Sequence, residues 1–168
     1  MRTHIVDKGP NAGWVIEINQ EFLFRGTDYM SFQKHVDNGK YWGSNLGRVG
    51  VSTFVAMSIY DASIYCGCGL DTLPGRVAAI YDDDVVFINE GGIYSSLGNR
   101  PILLAIAHER YPLSSPEASE GLIIPGRISL DDIVIVKTER DLRRVLPPHH
   151  DLDAITIQKI KKKAGIVP

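Results

Sequence analysis

The chain has 168 residues and a formal net charge of −2, with 44% hydrophobic and 23% charged residues. This length fits one domain that can fold without disulfides, and the ordinary globular composition excludes a disordered, collagen-like or coiled-coil protein. The slightly acidic balance excludes a protein that binds partners through overall basicity, so any contact with nucleic acid must be local.

Short strands and one helix are predicted over the first third of the chain. A helix capped by Thr27 or Asp28 should run to about Asp37, where Asn38-Gly39 ends it. The segment Lys40–Gly47 is rich in Gly and Asn and is interpreted as a loop. The predicted strands of this region are Trp14–Ile18, Phe22–Arg25 and Arg48–Thr53.

The rest of the chain is also predicted to be rich in strands. A helix fits Val55–Tyr65, whereas the apolar run Ile102–Ala107 fits either a buried strand or a short helix. Further strands are predicted at Arg76–Tyr81, Val85–Ile88, Gly121–Ile124 and Asp132–Lys137, and further helices at Glu139–Val145 and Leu152–Ala164. Because strands do not alternate regularly with helices, we expect an α+β, mostly β fold.

The pattern divides the chain into a mostly β body, residues 1–137, and a short helical C-terminal extension, residues 138–168. No run approaches the roughly 18–20 apolar residues that span a bilayer, so we expect no membrane partner. The first residues, MRTHIVDKGPNAG, have no apolar core of a signal peptide. We therefore expect a cytoplasmic protein, or one that is delivered into a target cell without a Sec signal peptide.

Metal and phosphate motifs are weak in this sequence. Cys66 and Cys68 are too close to bridge each other, and no second cysteine pair completes a zinc site. The sequence also lacks HExxH, P-loop and GxGxxG patterns. Two side chains carry minor hypotheses: His108, beside Glu109, as a metal or nuclease residue, and Trp42 as a stacking partner for an aromatic ring of a ligand.

Three polar positions adjoin apolar strands, where a folded sheet could bring them into one cleft. Arg25 ends the first strand, Ser52-Thr53 ends the second, and Glu120 precedes the third. Taken singly, each has a simpler interpretation. Arg25 would form a surface ion pair, Ser52-Thr53 would cap a helix, and Glu120 would be solvated.

The order and flanking residues of these positions resemble the R-S-E class of ADP-ribosyltransferases, the cholera-toxin-like and clostridial-toxin-like group. The resemblance covers about residues 22–137 and implies a split β-sandwich around an NAD⁺ cleft. The matching segments are Phe24-Arg25-Gly26-Thr27, then Ser52-Thr53-Phe54 followed by Ala62 and Tyr65, then Glu120–Gly126 and Ile128–Ile133.

The family's reaction breaks the bond between nicotinamide and ribose through a transition state that resembles an oxocarbenium ion. Such a reaction needs a cation on the pyrophosphate and a carboxylate near the ribose charge. The resemblance implies that NAD⁺ is the substrate, with no metal or other cofactor. It also implies transfer of ADP-ribose to a protein or nucleic acid by a bacterial or phage toxin or effector, with an inhibitor or immunity protein as a further partner.

The resemblance also implies roles for individual residues. Glu120 would accept a hydrogen bond from the ribose 2′-hydroxyl and stabilise the cation, Ser52 would hydrogen-bond Glu120 and the ribose, and Arg25 would bind the phosphates. The peptide group of Gly26 would contact the nicotinamide amide. The remaining implied NAD⁺ contacts are Thr27, Thr53 and Tyr65, although Tyr65 equally fits core packing of its predicted helix.

Two departures from the family pattern bear on the acceptor. Phe54 replaces the third residue of the family's Ser-Thr-Ser, and Ala118 stands two residues before Glu120, where arginine-modifying members have Glu. An arginine acceptor is therefore disfavoured. Two alternatives stay open: an NAD⁺ glycohydrolase with water as acceptor, and a non-enzymatic binding module in which Arg25 forms ion pairs and the basic tail around Lys159–Lys163 binds a partner.

Overall fold

A computed structural model of the chain describes residues 1–46, 50–57, 62, 75–81, 84–89, 92–93, 101–115, 122–136 and 139–146. Short antiparallel strands dominate this part of the chain, and helices are few. The predicted α+β, mostly β class is therefore confirmed.

The elements are short, and every described strand has between two and seven residues. The helical elements whose bounds the described residues give are α1 (Tyr29–Lys34), α2 (Glu139–Val145) and a 3₁₀ helix at Leu130–Asp132. The early strands are β1 (Arg2–Ile5), β2 (Val15–Ile18), β3 (Phe22–Asp28), β4 (Val36–Asp37), β5 (Lys40–Tyr41), β6 (Ser44–Leu46) and β7 (Gly50–Val55). The later strands are β8 (Gly75–Tyr81), β9 (Asp84–Asn89), β10 (Gly92–Ile93), β11 (Pro101–Ala107), β12 (Leu122–Pro125), β13 (Ile128–Ser129) and β14 (Ile133–Val136).

The strands form small sheets in the orders β14-β11-β3, β12-β7-β6, β13-β5-β4, β10-β9-β8 and β1-β2. Every pair in these sheets is antiparallel. The first two sheets meet at an isolated bridge, where Phe24 of β3 and Ala56, just after β7, exchange two backbone hydrogen bonds of 2.8 Å. This junction brings the predicted arginine strand beside the predicted serine strand.

Strand β3 is buried on both faces because successive side chains alternate between two apolar clusters. Phe22 and Phe24 point to one side and pack with Val145 of α2. Leu23 points to the other side and packs with Ile106 of β11. A polar side chain on β3 is therefore held close to the core.

The helix predicted from Thr27 or Asp28 to about Asp37 begins where expected but ends early. The carboxylate of Asp28 caps α1 by accepting a hydrogen bond from the third residue after it, but the helix ends at Lys34 and does not reach Asp37. Asn38 and Gly39, with φ of 51° and 73°, instead form the turn between β4 and β5. Positive φ at both central residues is typical of a two-residue hairpin turn, so the prediction that this pair ends the helix is wrong.

Among the described residues, one other local prediction is wrong and a second is wrong at its start. The predicted loop Lys40–Gly47 contains β5 and β6. The predicted helix Val55–Tyr65 does not begin at Val55, because that residue ends β7 and Ala56 bonds to Phe24. Ala62 is helical, and the other residues from 58 to 65 lie outside the described residues.

The longer predicted elements are confirmed within a residue or two, including Arg48–Thr53, which the structure describes as a strand at Gly50–Val55. The exception is Phe22–Arg25, whose strand extends to Asp28. The ambiguous run Ile102–Ala107 is a strand, and it lies between β14 and β3. The helix Glu139–Val145 is present, and Val145 packs against the core of the body. The predicted helix Leu152–Ala164 lies outside the described residues.

Candidate functional site

The candidate site lies along one edge of β7, where β6 ends its pairing and β3 begins. The carbonyl of Ser52 accepts the Gly43 N–H at 3.0 Å, and Ala56 bonds to Phe24. Alternate residues of an antiparallel strand direct their peptide groups to the same side, so Phe54 faces this edge too. Neither β6 nor β3 pairs with Phe54, so its carbonyl is open to a side chain.

The guanidinium of Arg25 fills this position. Nη1 donates to the Phe54 carbonyl at 3.1 Å, Nη2 donates to the Gly43 carbonyl at 3.1 Å, and Nε donates to the Tyr41 hydroxyl at 2.9 Å. Arginine has five N–H donors, and these three neutral oxygens take three of them. Within the described residues, the half-buried charge therefore has polar support without an acidic partner and has donors left for an anion.

Gly43 makes this arrangement possible. A Cβ atom at this position would lie 2.6 Å from Cζ of Arg25 and 2.8 Å from Nε and Nη2. The Gly43 N–H also donates at 3.0 Å to both the Ser52 carbonyl and the Thr53 hydroxyl. Only a residue without a side chain lets the guanidinium approach this backbone so closely.

Ser52 and Thr53 are inside β7, and both are 0% exposed. The Thr53 hydroxyl accepts from Gly43, and the Ser52 hydroxyl donates to the Gly50 carbonyl at 3.4 Å. On the other side of β7, Pro125 of β12 lies opposite Ser52. Because strand residues follow them as far as Val55, the alternative that this pair caps a helix is wrong.

Gly26 and Thr27 continue β3 beyond the junction with β7. The peptide group of Phe24 faces β7, so that of Gly26, two residues later, faces the same way and is turned from β11. Thr27 is buried, and it pairs with Ile102. Beyond the bridge at Phe24, no described strand pairs with this edge of β3, and the peptide group there belongs to the buried Gly26.

Glu120 and Tyr65 lie outside the described residues, as does Ala118. Strand β12 begins at Leu122, opposite Val55 of β7, and Glu120 is two residues earlier in the chain. The structure therefore brings Arg25 to the Ser52-Thr53 strand and leaves the proposed carboxylate and the proposed tyrosine as predictions.

Tyr41 and Gly43 are site residues that the sequence analysis missed, because it assigned both to a loop. Tyr41 is 1% exposed and packs its ring against Phe32, with centroids 5.1 Å apart. The one local signal was the Asn-Gly turn before them, which places Tyr41 on a hairpin strand. Nothing local in the sequence links either residue to Arg25.

His108 has a structural role. Its Nε2 lies 2.7 Å from the Gln20 carbonyl and its Nδ1 lies 3.3 Å from Nη1 of Arg2, while the ring is 1% exposed. Both nitrogens are thus engaged within the protein, which disfavours the metal and nuclease hypothesis. No group of three or more His, Cys, Asp and Glu side chains suited to a metal occurs among the described residues.

Trp42 lies beside Gly43 but already has neighbours on its ring. The Arg127 guanidinium lies 4.7 Å from the ring centroid, and the His35 ring meets it edge-on at 5.7 Å. A base or nicotinamide that stacks on the same face would have to displace Arg127.

Within the described part of the chain, no helix is long and apolar enough to cross a membrane.

Comparison of the chain with protein-family models, with curated proteins and with solved structures finds no match. A function therefore has to be inferred from the residues and their geometry. The arrangement offers a supported cation, a glycine peptide edge and a buried Ser-Thr strand at one junction of two sheets. These groups suit an anionic ligand that also carries an amide.

Proposed function

We propose that the protein is an ADP-ribosyltransferase that cleaves NAD⁺ at the nicotinamide–ribose bond and transfers ADP-ribose to a protein or nucleic acid. The observation that carries the proposal is the setting of Arg25, whose guanidinium lies against the strand of Ser52 and Thr53 with only neutral partners among the described residues. A bacterial or phage toxin or effector is the proposed setting, with an inhibitor or immunity protein as a possible class of partner.

Arg25 is suited to the pyrophosphate. Its planar fork is already oriented by Tyr41, Gly43 and Phe54, so little side-chain freedom is lost when an anion binds. Two of its N–H groups have no partner among the described residues and can donate to phosphate oxygens in charge-assisted hydrogen bonds. The same contacts hold the junction of β3 and β7 rigid, which favours a fixed cleft.

Gly26 supports the nicotinamide end of the proposed site. A nicotinamide amide needs one donor and one acceptor in a fixed arrangement, and a peptide group facing a free strand edge offers both. The peptide group of Gly26 lies one residue beyond Arg25 and faces that edge. Pyrophosphate and nicotinamide contacts would therefore come from adjacent residues of one strand.

In the proposed reaction, the bond between N1 of nicotinamide and C1′ of ribose breaks, and its electron pair leaves with nicotinamide. Glu120 would stabilise the positive ribose, and Ser52 would orient Glu120. The acceptor then attacks C1′ and loses a proton. Neutral nicotinamide is the leaving group, so the chain's residues need to hold the charged centres and no metal enters the proposal.

The alternative is a binding module without catalysis. It is favoured by the fact that three donors of Arg25 are already used inside the protein, as in a structural strut. The sequence analysis described this module with Arg25 in an ion pair, but Arg25 has no acidic partner among the described residues. An NAD⁺ glycohydrolase is the enzymatic alternative, in which water takes the place of the macromolecule.

The deciding experiment incubates the protein with NAD⁺ labelled in the adenylate part, together with lysate protein, RNA and DNA. Nicotinamide release with label on a macromolecule supports transfer, and release with label only in free ADP-ribose indicates the glycohydrolase. No release above background with the folded protein would overturn the enzymatic proposal.

Glu120→Gln is the matching variant, because it keeps the size of the side chain and removes the charge. We expect turnover to fall by roughly 10²–10³-fold, as for loss of a preorganised electrostatic group, with NAD⁺ affinity little changed. Glu109→Gln, at an exposed position, is the control. Equal turnover of the folded Glu120→Gln protein and the control would remove Glu120 from the site.

A further inference from the structure

Helix α2 carries a cluster of exposed arginines. Arg140, Arg143 and Arg144 are all exposed, and these three residues are here named the arginine face. At 3.6 residues per turn they fall within an arc of about 100° and within about 6 Å along the helix axis. The helix therefore presents three cations side by side within about one turn.

Packing on the opposite side of α2 fixes the direction of the arginine face. Val145 is 2% exposed and packs with Phe22 and Phe24 of β3. In helical projection Val145 lies about 150° from the centre of the arginine face, so its burial turns the arginines toward solvent. Apolar contacts thus set the orientation of the helix, and the arginines are available to a partner.

The charges of the arginine face are only partly balanced within the protein. Arg143 and the half-buried Asp141 each take part in an interaction, whereas neither Arg140 nor Arg144 has a hydrogen bond or an ion pair among the described residues. Arg140 and Arg144 are four residues apart, and like charges at this spacing on a helix repel each other. The arrangement becomes favourable when an anionic partner is bound.

The sign of the charge also changes along the chain. Residues 138–168 carry seven Lys and Arg against four Asp and Glu, whereas residues 1–137 carry eleven against sixteen. The arginine face lies in the basic part. Such an asymmetry is typical of a protein that meets a polyanion at one local surface. It agrees with the overall acidic balance, which allows only a local contact with nucleic acid.

We propose that the arginine face binds the phosphate backbone of a nucleic acid, and that this nucleic acid is the acceptor of ADP-ribose. The second part rests on the proposed function. A nucleic acid carries a negative charge on every nucleotide, and the guanidinium fork matches two phosphate oxygens. An acidic protein is disfavoured as the partner, because it would have to place several mutually repelling carboxylates within about 6 Å.

Helix α2 and the guanidinium of Arg25 lie on opposite sides of β3. Val145 packs with Phe24, and the next side chain of the strand, Arg25, points to the other side. A duplex of about 20 base pairs is roughly 70 Å long, so it can extend past a sheet layer of about 10 Å. We therefore expect the arginine face to act on the KM for the acceptor, and Arg25 on the binding of NAD⁺.

Fluorescence anisotropy without NAD⁺ measures the binding directly. The probes are single-stranded RNA, single-stranded DNA and duplex DNA of about 20 nucleotides per strand, with polyglutamate of the same length as the acidic-protein comparison. Three phosphate contacts predict that the logarithm of the association constant falls with that of the salt concentration at a slope of about −2 to −3. Arg140→Gln with Arg144→Gln should remove about two thirds of this slope and weaken binding about 20–60-fold near 0.1 M salt.

The matched control is Lys8→Gln with Lys34→Gln, which removes the same charge from exposed positions elsewhere and should keep the wild-type affinity and slope. An arginine-dependent slope with any of the three probes supports the proposal, and the probe bound most tightly identifies the kind of nucleic acid. No binding by the wild type, equal losses in both double variants, or equally tight binding of polyglutamate would overturn it. A wild-type urea midpoint of the arginine variant separates lost binding from lost folding.

Labelled NAD⁺ then tests the acceptor role. The KM for the nucleic acid as acceptor should rise about 20–60-fold in the double arginine variant and stay unchanged in the lysine control. If the wild-type protein releases no nicotinamide, the proposed function fails, but anisotropy still decides whether the arginine face binds nucleic acid. Label on protein alone, with nucleic acid present and bound, would overturn the acceptor role.

Discussion

Gly43→Ala tests the contact on which the candidate site depends. The added Cβ would lie 2.6 Å from Cζ of Arg25, whereas carbon atoms normally approach to about 3.5–4.0 Å. The guanidinium would have to move by roughly 1 Å. We expect such a shift to lengthen the bonds of Nη1 and Nη2 to Phe54 and Gly43, now 3.1 Å each, beyond hydrogen-bond distance.

The expected cost follows from those two bonds. A hydrogen bond to a charged group contributes about 1.5–3 kcal/mol, so losing both costs about 3–6 kcal/mol before relaxation. Arg25 is half-buried, and water would recover part of this loss. The φ angle of Gly43 lies outside the left-handed region, so alanine also gains about 0.4–1 kcal/mol from the unfolded state. We expect a net loss of about 2–4 kcal/mol in the free energy of unfolding.

Urea unfolding of a double-mutant cycle with Arg25→Ala measures this effect. In the Arg25→Ala background the guanidinium that the added Cβ would meet is gone. Gly43→Ala should then leave the free energy of unfolding unchanged or raise it by about 0.4–1 kcal/mol. The same cost of Gly43→Ala in both backgrounds would refute the argument, because the strain would then come from something other than the guanidinium. NAD⁺ titration of the folded single variant should also show weaker binding.

Other expected outcomes address the same features and can be checked with standard assays. Tyr41→Phe removes the acceptor of the Nε bond of Arg25 and should lower the free energy of unfolding by about 1.5–3 kcal/mol, and an unchanged urea midpoint would contradict this. Arg25→Lys replaces a fork with a point charge, so calorimetry should show weaker NAD⁺ binding per folded molecule, and equal affinity would exclude the phosphate role. Because burial lowers the pKa of His4 in the folded state, the unfolded state binds more protons, and the free energy of unfolding should fall as pH drops below about 6.5 and level off below the folded pKa. His4→Gln should flatten this slope between pH 5 and 7, and an equal slope in both proteins would be the contrary result. Gly39→Ala should cost about 1–2 kcal/mol from its φ of 73° alone, since no atom lies within 4 Å of the added Cβ, and a smaller thermal shift than this implies would contradict the hairpin turn.

The sequence predicted those helices and strands whose structure depends mainly on residues close by in the chain. The apolar run from Phe22 and the capping carboxylate of Asp28 are sufficient for β3 and the start of α1. The failure at Asn38-Gly39 arises because glycine after a helical segment and Asn-Gly in a hairpin look alike in one sequence. The two-residue strand β5 pairs with its neighbour β4 and also with β13, which lies far along the chain, and no window around Lys40 contains that second partner.

The residues of the candidate site fall into the same two groups, those that the sequence could predict and those that it could not. Arg25, Ser52 and Thr53 could be selected because their chemical types and order are visible in the chain. Gly43 and Tyr41 could not, because each matters only through where the side chain of Arg25 lies after folding. The local sequence around a glycine in a Gly-rich segment does not indicate that a guanidinium will contact it. Close approach is a property of three dimensions, and sequence periodicity does not report it.

The pairing of early with late strands also has a consequence for synthesis on the ribosome. Phe24 pairs with Ala105, and the bonds from Arg2 to His108 and from His4 to Ser115 span 106 and 111 residues. At translation rates of about 5–20 residues per second, β3 waits roughly 4–16 seconds for β11 to be made. During that time β3 lacks β11, the strand that pairs with it from Phe22 to Asp28, and its run of aromatic and aliphatic side chains is incompletely covered. The nascent chain is therefore expected to depend on chaperones until β11 has emerged, and to fold late and all at once, with its first residues among the last to be secured.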